Sequence, residues 1–189
     1  MMPVDFLNQC APNVASSTLT AVIQVESANH PLAVHINGAK KATLYPGSLS
    51  EAVTIANTAI KQGHSVDLGL MQINSRNLGS LGYSVADMFN PCLNIHAGAT
   101  ILSSDYKQAM MTKKEAGEPA LKAALSAYNT GNFSSGFLNG YLDKYAVFFS
   151  SPAPKPSFSF QPTQTTVVTT AESNPYAATT TVYKRSITI

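Results

Sequence analysis

A single carboxylate on an otherwise apolar helical stripe constrains this chain more than any other feature of its sequence. Leu19, Val22, Ile23 and Glu26 follow the spacing i, i+3, i+4, i+7, so all four side chains share one face of an α-helix. Glu26 therefore points where the hydrophobic residues point. Desolvation disfavours its charged form, so a Glu that stays with the stripe holds its proton toward neutral pH and is usable as a general acid. The alternative is a Glu at the helix end that bends out to solvent or meets a Lys.

Capping and turn residues predict a mostly helical domain with a small β insert. Ser16 or Ser17 caps the helix that carries Glu26, which runs to about Ser27, and Pro31 ends it. Residues 33–36 and 42–45 are β-compatible runs on either side of Asn37-Gly38, a strong turn signal, and residues 66–71 supply a third strand. Ser48 and Glu51 have capping-box spacing and open a helix through about Gln62 that Gly63 closes. Asn90-Pro91 starts a long helix with the stripe Ile95, Ala99, Leu102, Tyr106 and Ala109. Gly117 and Pro119 separate it from helices over about 119–127 and 137–148. The class is α+β, predominantly helical, with a helical lobe and a small β lobe facing each other over a cleft. Beyond this unit, about half of the residues are Ser, Thr or Pro and few are charged. The expected organisation is a folded domain over residues 1–149 and a Ser/Thr/Pro-rich linker or disordered tail over 150–189.

Charge and composition exclude several functions. A formal net charge of +2 with only short Lys pairs gives no case for a nucleic-acid partner. No stretch approaches the ~20 apolar residues of a membrane span. His30, His35, His64 and His96 include no H-x-x-x-H pair, and no C-x-x-C, P-loop or G-x-S-x-G elbow occurs. No metal and no cofactor are expected.

Two further segments have the character of a cleft lining: Gly69-Leu70-Met71-Gln72-Ile73-Asn74 and Ala127-Tyr128-Asn129-Thr130-Gly131-Asn132. With Glu26-Ser27 they reproduce, in order, the ES, GLMQI and AYNxG motifs of the soluble lytic transglycosylase family, which the chain resembles over about residues 5–149. Cys10-Ala11-Pro12, Asp67, Asn90-Pro91-Cys92-Leu93-Asn94-Ile95 and Gly140-Tyr141 are similar to the branch serving conjugation and type IV secretion in Gram-negative bacteria. The resemblance implies a lysozyme-like, two-lobed fold whose groove takes peptidoglycan glycan strands.

It also implies the chemistry. Ordinary glycosidases place two carboxyl groups about 5 to 9.5 Å apart. In this family one Glu, here Glu26, protonates the glycosidic oxygen between N-acetylmuramic acid and N-acetylglucosamine while the substrate's acetamido group supports the oxocarbenium-like centre. Ionised, the same Glu takes the proton of the muramyl C6 hydroxyl, which attacks C1 and leaves a 1,6-anhydro ring. Substrate-binding positions carried over are Ser27, Met71, Gln72, Tyr128, Asn129 and Tyr141, each with a plainer role as helix capping or core packing. Asp67 is read as tuning the site or orienting its loop, not as catalytic.

Cys10 and Cys92 suit a disulfide between distant segments, or else two free buried thiols. A bridge implies an oxidising compartment, in keeping with a periplasmic substrate. The N-terminal residues carry no basic n-region or apolar h-region, so a periplasmic location implies a removed signal or another export route. The alternating run 179–189 suits pairing with a sheet edge on a type IV secretion subunit. Three functions stay open: a lytic transglycosylase, a hydrolytic muramidase of goose-type lysozyme character, and a non-catalytic glycan-binding scaffold.

Overall fold

The computed structural model describes residues 1–39, 43–114 and 116–150. The predicted tail, with its alternating run 179–189, lies outside the described residues apart from Ser150. Within them the architecture is α+β, predominantly helical and lysozyme-like, with a small antiparallel sheet.

Cys10 ends a first helix that no stripe or cap in the sequence marks. Helix α1, Val4–Cys10, starts after an extended Pro3, carries Asp5 in its first turn where the helix dipole favours an acid, and buries Leu7 and Cys10. Cys10 is disulfide-bonded to Cys92, across a sequence separation of 82. A loop of that length contributes on the order of 4 kcal/mol in the chain-entropy model. Helix α2, Ser16–Ser27, buries Leu19, Val22 and Ile23 as the stripe requires. No side chain caps its start, where Ala15 holds the N-cap position. It stops short of Pro31 because Ala28 and Asn29 adopt left-handed backbone (φ 50° and 66°), which returns the Ala28 N–H to the Gln24 carbonyl.

The β lobe follows. Strands β1 (Val34–Ile36) and β2 (Thr43–Leu44) pair antiparallel with His35 opposite Thr43. Helix α3, Leu49–Lys61, is capped by Ser48, whose hydroxyl accepts the Glu51 N–H at 3.2 Å, while the Glu51 carboxylate takes the Gly47 N–H at 2.9 Å. The third strand is shorter than residues 66–71: β3 ends at Leu68 and the chain turns through Gly69–Gln72 into an unforeseen strand β4, Ile73–Asn74. Among the described residues the strand order is β2-β1-β3-β4, and Asp67 lies opposite Asn74.

After a short helix α4 (Leu78–Leu81) comes the long helix α5, Pro91–Lys113. Asn90 caps it by accepting the Cys92 and Leu93 N–H groups, and every residue of its predicted stripe is buried. Helix α6, Glu118–Thr130, packs along α5. The single helix expected over 137–148 is instead three pieces: α7 (Ser135–Leu138), a 3-10 turn (Leu142–Tyr145) and α8 (Ala146–Ser150). Gly140 sits between the first two at φ 76°, a left-handed conformation that glycine adopts without a side-chain clash. The break directs the 3-10 turn back onto α2.

One buried side chain fixes the turn after β3. Asn94 of α5 is fully buried; its Nδ2 donates to the Leu68 and Met88 carbonyls, and its Oδ1 accepts the Met71 N–H, all at 2.8 Å. The packing is tight enough that a Cβ on Gly69, itself at φ 70°, would stand 2.3 Å from the Met88 carbonyl oxygen. Asn94→Leu leaves three buried backbone groups unpaired at roughly 1 to 3 kcal/mol each. Urea denaturation of this variant is expected to show a loss of about 3 kcal/mol or more.

Candidate active site

The end of α2, the β lobe and the 3-10 turn enclose a cleft of about 440 Å³. Glu26 stands in its wall, with Asp67, Gln72 and Asn74 on the β side and Tyr128, Asn129, Tyr141 and Lys144 on the helical side. Glu26 is half-buried as a residue, and the Tyr141 hydroxyl donates a hydrogen bond to its Oε1. Burial pushes its carboxyl up to about 7; the Tyr141 hydrogen bond and the Lys144 charge oppose this, while the Asp67 charge adds to it. Desolvation wins, so the proton is held at a pH where a surface Glu has lost it.

The predicted site residues divide into two groups. Glu26, Gln72, Tyr128, Asn129 and Tyr141 meet in the cleft. Gln72 has left-handed backbone at φ 48°, unusual for a residue with a side chain, and its amide donates to the Gly69 carbonyl at 2.8 Å. Tyr128 gives its hydroxyl to the Met71 carbonyl at 2.7 Å, tying α6 to the β3–β4 turn. Burial keeps the Tyr128 phenol well above its ordinary pKa, so it remains a donor. Asn129 is exposed on the rim. Ser27 and Met71 stand apart from the cleft lining. Ser27 is buried with its hydroxyl on the Ile23 carbonyl at 3.2 Å, and Met71 is buried beneath α5, where a Cβ on Gly98 would be 2.5 Å from its sulfur. Met71 reaches the site through its backbone carbonyl.

Asp67 is held on both oxygens: Oδ1 accepts the Asn74 amide at 2.6 Å and Oδ2 the Asn37 amide at 3.0 Å. Its carboxylate is fixed in place and acts on Glu26 by charge. Sequence reasoning missed Asn37, Asn74, Lys144 and Tyr145 as parts of this network. Asn74 lies inside the motif already noted, and Tyr145 follows Tyr141 by four residues, one helical turn; those were the available signals. It also missed Asp105, a half-buried carboxyl of α5 that burial raises to about 6 and whose charge acts on Tyr128.

The site is thus one carboxyl of raised pKa in a polar cleft of a lysozyme-like domain, with a phenol hydrogen-bonded to it. The chain belongs to the transglycosylase SLT domain family, whose description matches residues 6–143. It is 42% identical over 140 residues to protein virB1 of Agrobacterium fabrum (strain C58), covering 74% of this chain and 56% of that protein. It is 40% identical over 146 residues to protein virB1 of Rhizobium radiobacter, covering 77% and 60%. Against type IV secretion system protein virB1 of Brucella abortus biovar 1 the identity is 40% over 129 residues, covering 68% and 54%. These relatives bear out the resemblance carried by the motifs. The chain spans between about half and three fifths of the length of these curated relatives. No solved structure matches it significantly.

The raised Glu26 pKa has a consequence for stability. Between its ordinary value of 4.5 and about 7, the folded chain binds a proton that the unfolded chain has released, so stability falls as pH rises through that window. The ceiling is about 3 kcal/mol, reduced by screening from cleft water. Glu26→Gln removes the penalty. Urea titrations are expected to find the variant more stable than wild type by about 1 to 2 kcal/mol at pH 8 and equal to it near pH 4.

Proposed function

We propose that the chain cleaves peptidoglycan as a lytic transglycosylase, opening the β-1,4 bond between N-acetylmuramic acid and N-acetylglucosamine with a 1,6-anhydromuramyl product. The observation that carries this reading is Glu26: an acid with a pKa of about 7 in a polar cleft, hydrogen-bonded by Tyr141. Membership of the transglycosylase SLT domain family supplies the reaction class.

In the first step Glu26 gives its proton to the glycosidic oxygen as the C1–O bond breaks, and the acetamido group of the substrate stabilises the cationic centre. In the second, the C6 hydroxyl of the muramyl residue attacks C1 and its proton returns to Glu26, so acid and base roles fall on one group in sequence. No water is consumed. Asp67, held by the Asn74 and Asn37 amides, takes an electrostatic part on this reading, its charge favouring the acid form of Glu26. Tyr141 stabilises the carboxylate left after proton delivery, and Lys144 acts in the same direction. Gln72, Tyr128 and Asn129 line the path of the sugar chain.

Residues 1–149 form the cleaving unit on this reading, which works in the periplasm and opens the wall locally for a type IV secretion or conjugation apparatus. Residues 150–189 serve as a tether to subunits of that apparatus. Support comes from the virB1 relatives, two of which are named above as agrobacterial or rhizobial and one as a type IV secretion system protein. No described helix is long and apolar enough to cross a membrane.

Mass analysis of digested peptidoglycan tests the chemistry. Wild type is expected to release muropeptides with 1,6-anhydro ends, one water lighter than hydrolysed products. Glu26→Gln is expected to lose at least ~100-fold in rate while retaining fold and glycan binding. Reducing ends would identify a muramidase, and binding without cleavage a scaffold.

A further inference from the structure

Behind the acid lies a second phenol that does not line the cleft. Tyr145, at the end of the 3-10 turn, is fully buried, and its hydroxyl oxygen stands 2.9 Å from that of Tyr141, which in turn bonds Glu26. The two rings meet edge to face with centroids 5.4 Å apart. Glu26, Tyr141 and Tyr145 thus form a continuous hydrogen-bonded chain from the cleft into the core.

Each phenol has one proton to give, so the bonds must run in a consistent direction. A carboxylate only accepts, which requires Tyr141 to donate to Glu26. The Tyr141 oxygen is then left as the acceptor for Tyr145, and both protons of the chain are used. A hydroxyl that receives a hydrogen bond becomes a stronger donor, and the gain is largest where water is excluded. We propose that Tyr145 is a positioning residue that acts through Tyr141, directing and strengthening its hydrogen bond to Glu26 so that the carboxylate formed on proton delivery is stabilised for its return as base. This rests on the transglycosylase reading and deepens it.

Other groups facing Glu26 act from elsewhere. Lys144 is exposed on the same 3-10 turn, with its ammonium 5.6 Å from the Tyr141 ring centroid. Asp67 comes from β3, and Tyr128 from α6 with the Asp105 charge of α5 beside it. His35 of β1 lines the far wall, with its ring Nδ1 2.8 Å from the Thr43 hydroxyl. Lys144 and Asp67 work across the cleft and are weakened by salt, whereas the Tyr145 contact lies in the core and is insensitive to it.

Tyr145→Phe deletes one oxygen and keeps the ring. The test is a carbon-13 NMR titration of the Glu26 carboxyl in substrate-free wild type, Tyr145→Phe and Tyr141→Phe, at low and high salt, beside pH profiles of muropeptide release. The Glu26 midpoint is expected to rise by about half a unit in Tyr145→Phe, equally at both salt concentrations, and by at least as much in Tyr141→Phe. The high-pH limb of kcat/KM should rise with it, and kcat should fall several-fold at unchanged KM. A Glu26 midpoint that moves in Tyr141→Phe but not in Tyr145→Phe overturns the inference. Should Tyr145→Phe fail to fold, the ring Cζ of Tyr145 in wild type carries the test. Its shift should follow the Glu26 midpoint and lose that step in Glu26→Gln, and a signal flat through that range overturns the inference equally. Because the titration needs no substrate, a midpoint shift without anhydro products refutes the activity alone, and anhydro products without a shift refute the role of Tyr145 alone.

Discussion

The Asn94 amide is the contact on which the cleft depends. It lies fully buried in α5 and binds three backbone groups from three separate segments: the end of β3, the turn that follows it, and the approach to α5. A backbone turn buried away from water has to find its hydrogen-bond partners inside the protein, and a primary amide offers two donors and an acceptor from one side chain. With Met71 anchored by its N–H, its carbonyl is free to receive Tyr128, which registers α6 against the β lobe. The left-handed backbone of Gln72 follows directly, held at one side by that anchor and at the other by β4. The two walls of the groove are thereby built from one buried point.

Glu26 illustrates the opposite demand. Folding places its carboxyl where the charged form is disfavoured, and the surroundings only partly relieve the penalty. Tyr141 and Lys144 favour the carboxylate, whereas burial and the fixed charge of Asp67 favour the acid. A group that must give a proton and later take one back is served by such opposition, because neither form is far below the other in free energy. Fixing Asp67 by two asparagine amides keeps one of these influences at constant distance. The stability lost at this position is the familiar cost of a functional carboxyl, and it is borne by a core closed elsewhere by the α5 and α2 stripes and by the Cys10–Cys92 bridge.

Much of the fold was legible because its signals are local. The stripes of α2 and α5 repeat at helical spacing, Ser48 and Asn90 cap through their own side chains, and Asn37-Gly38 follows a strand that pairs with the next. Local signals failed where long-range docking decided. Residues 137–148 read as one helix, yet Gly140 turns left-handed and the chain breaks so that Tyr141 can reach Glu26 on a helix more than a hundred positions earlier. Helix α1 was missed because its seven residues carry no stripe long enough to stand out, and the disulfide that secures it lies between distant positions. In the site, the motifs gathered the cleft segments, but within them the side chains of Ser27 and Met71 turned to backbone capping and core packing.

Periodicity, caps and turn residues act over a few neighbours, so the sequence by itself set Glu26 on the apolar stripe of a helix and a small β insert after it, while the grouping of the three short motifs came from the resemblance to the soluble lytic transglycosylases. Tertiary structure alone decided that the carboxyl would hold its proton to about pH 7, that Tyr145 would stand behind Tyr141, and that Asn37 and Asn74 would clamp Asp67. Those outcomes depend on how much water is excluded and on which hydroxyl or amide arrives within three ångströms of which oxygen. Both quantities are set by the packing of segments far apart in the chain, and no local pattern encodes them.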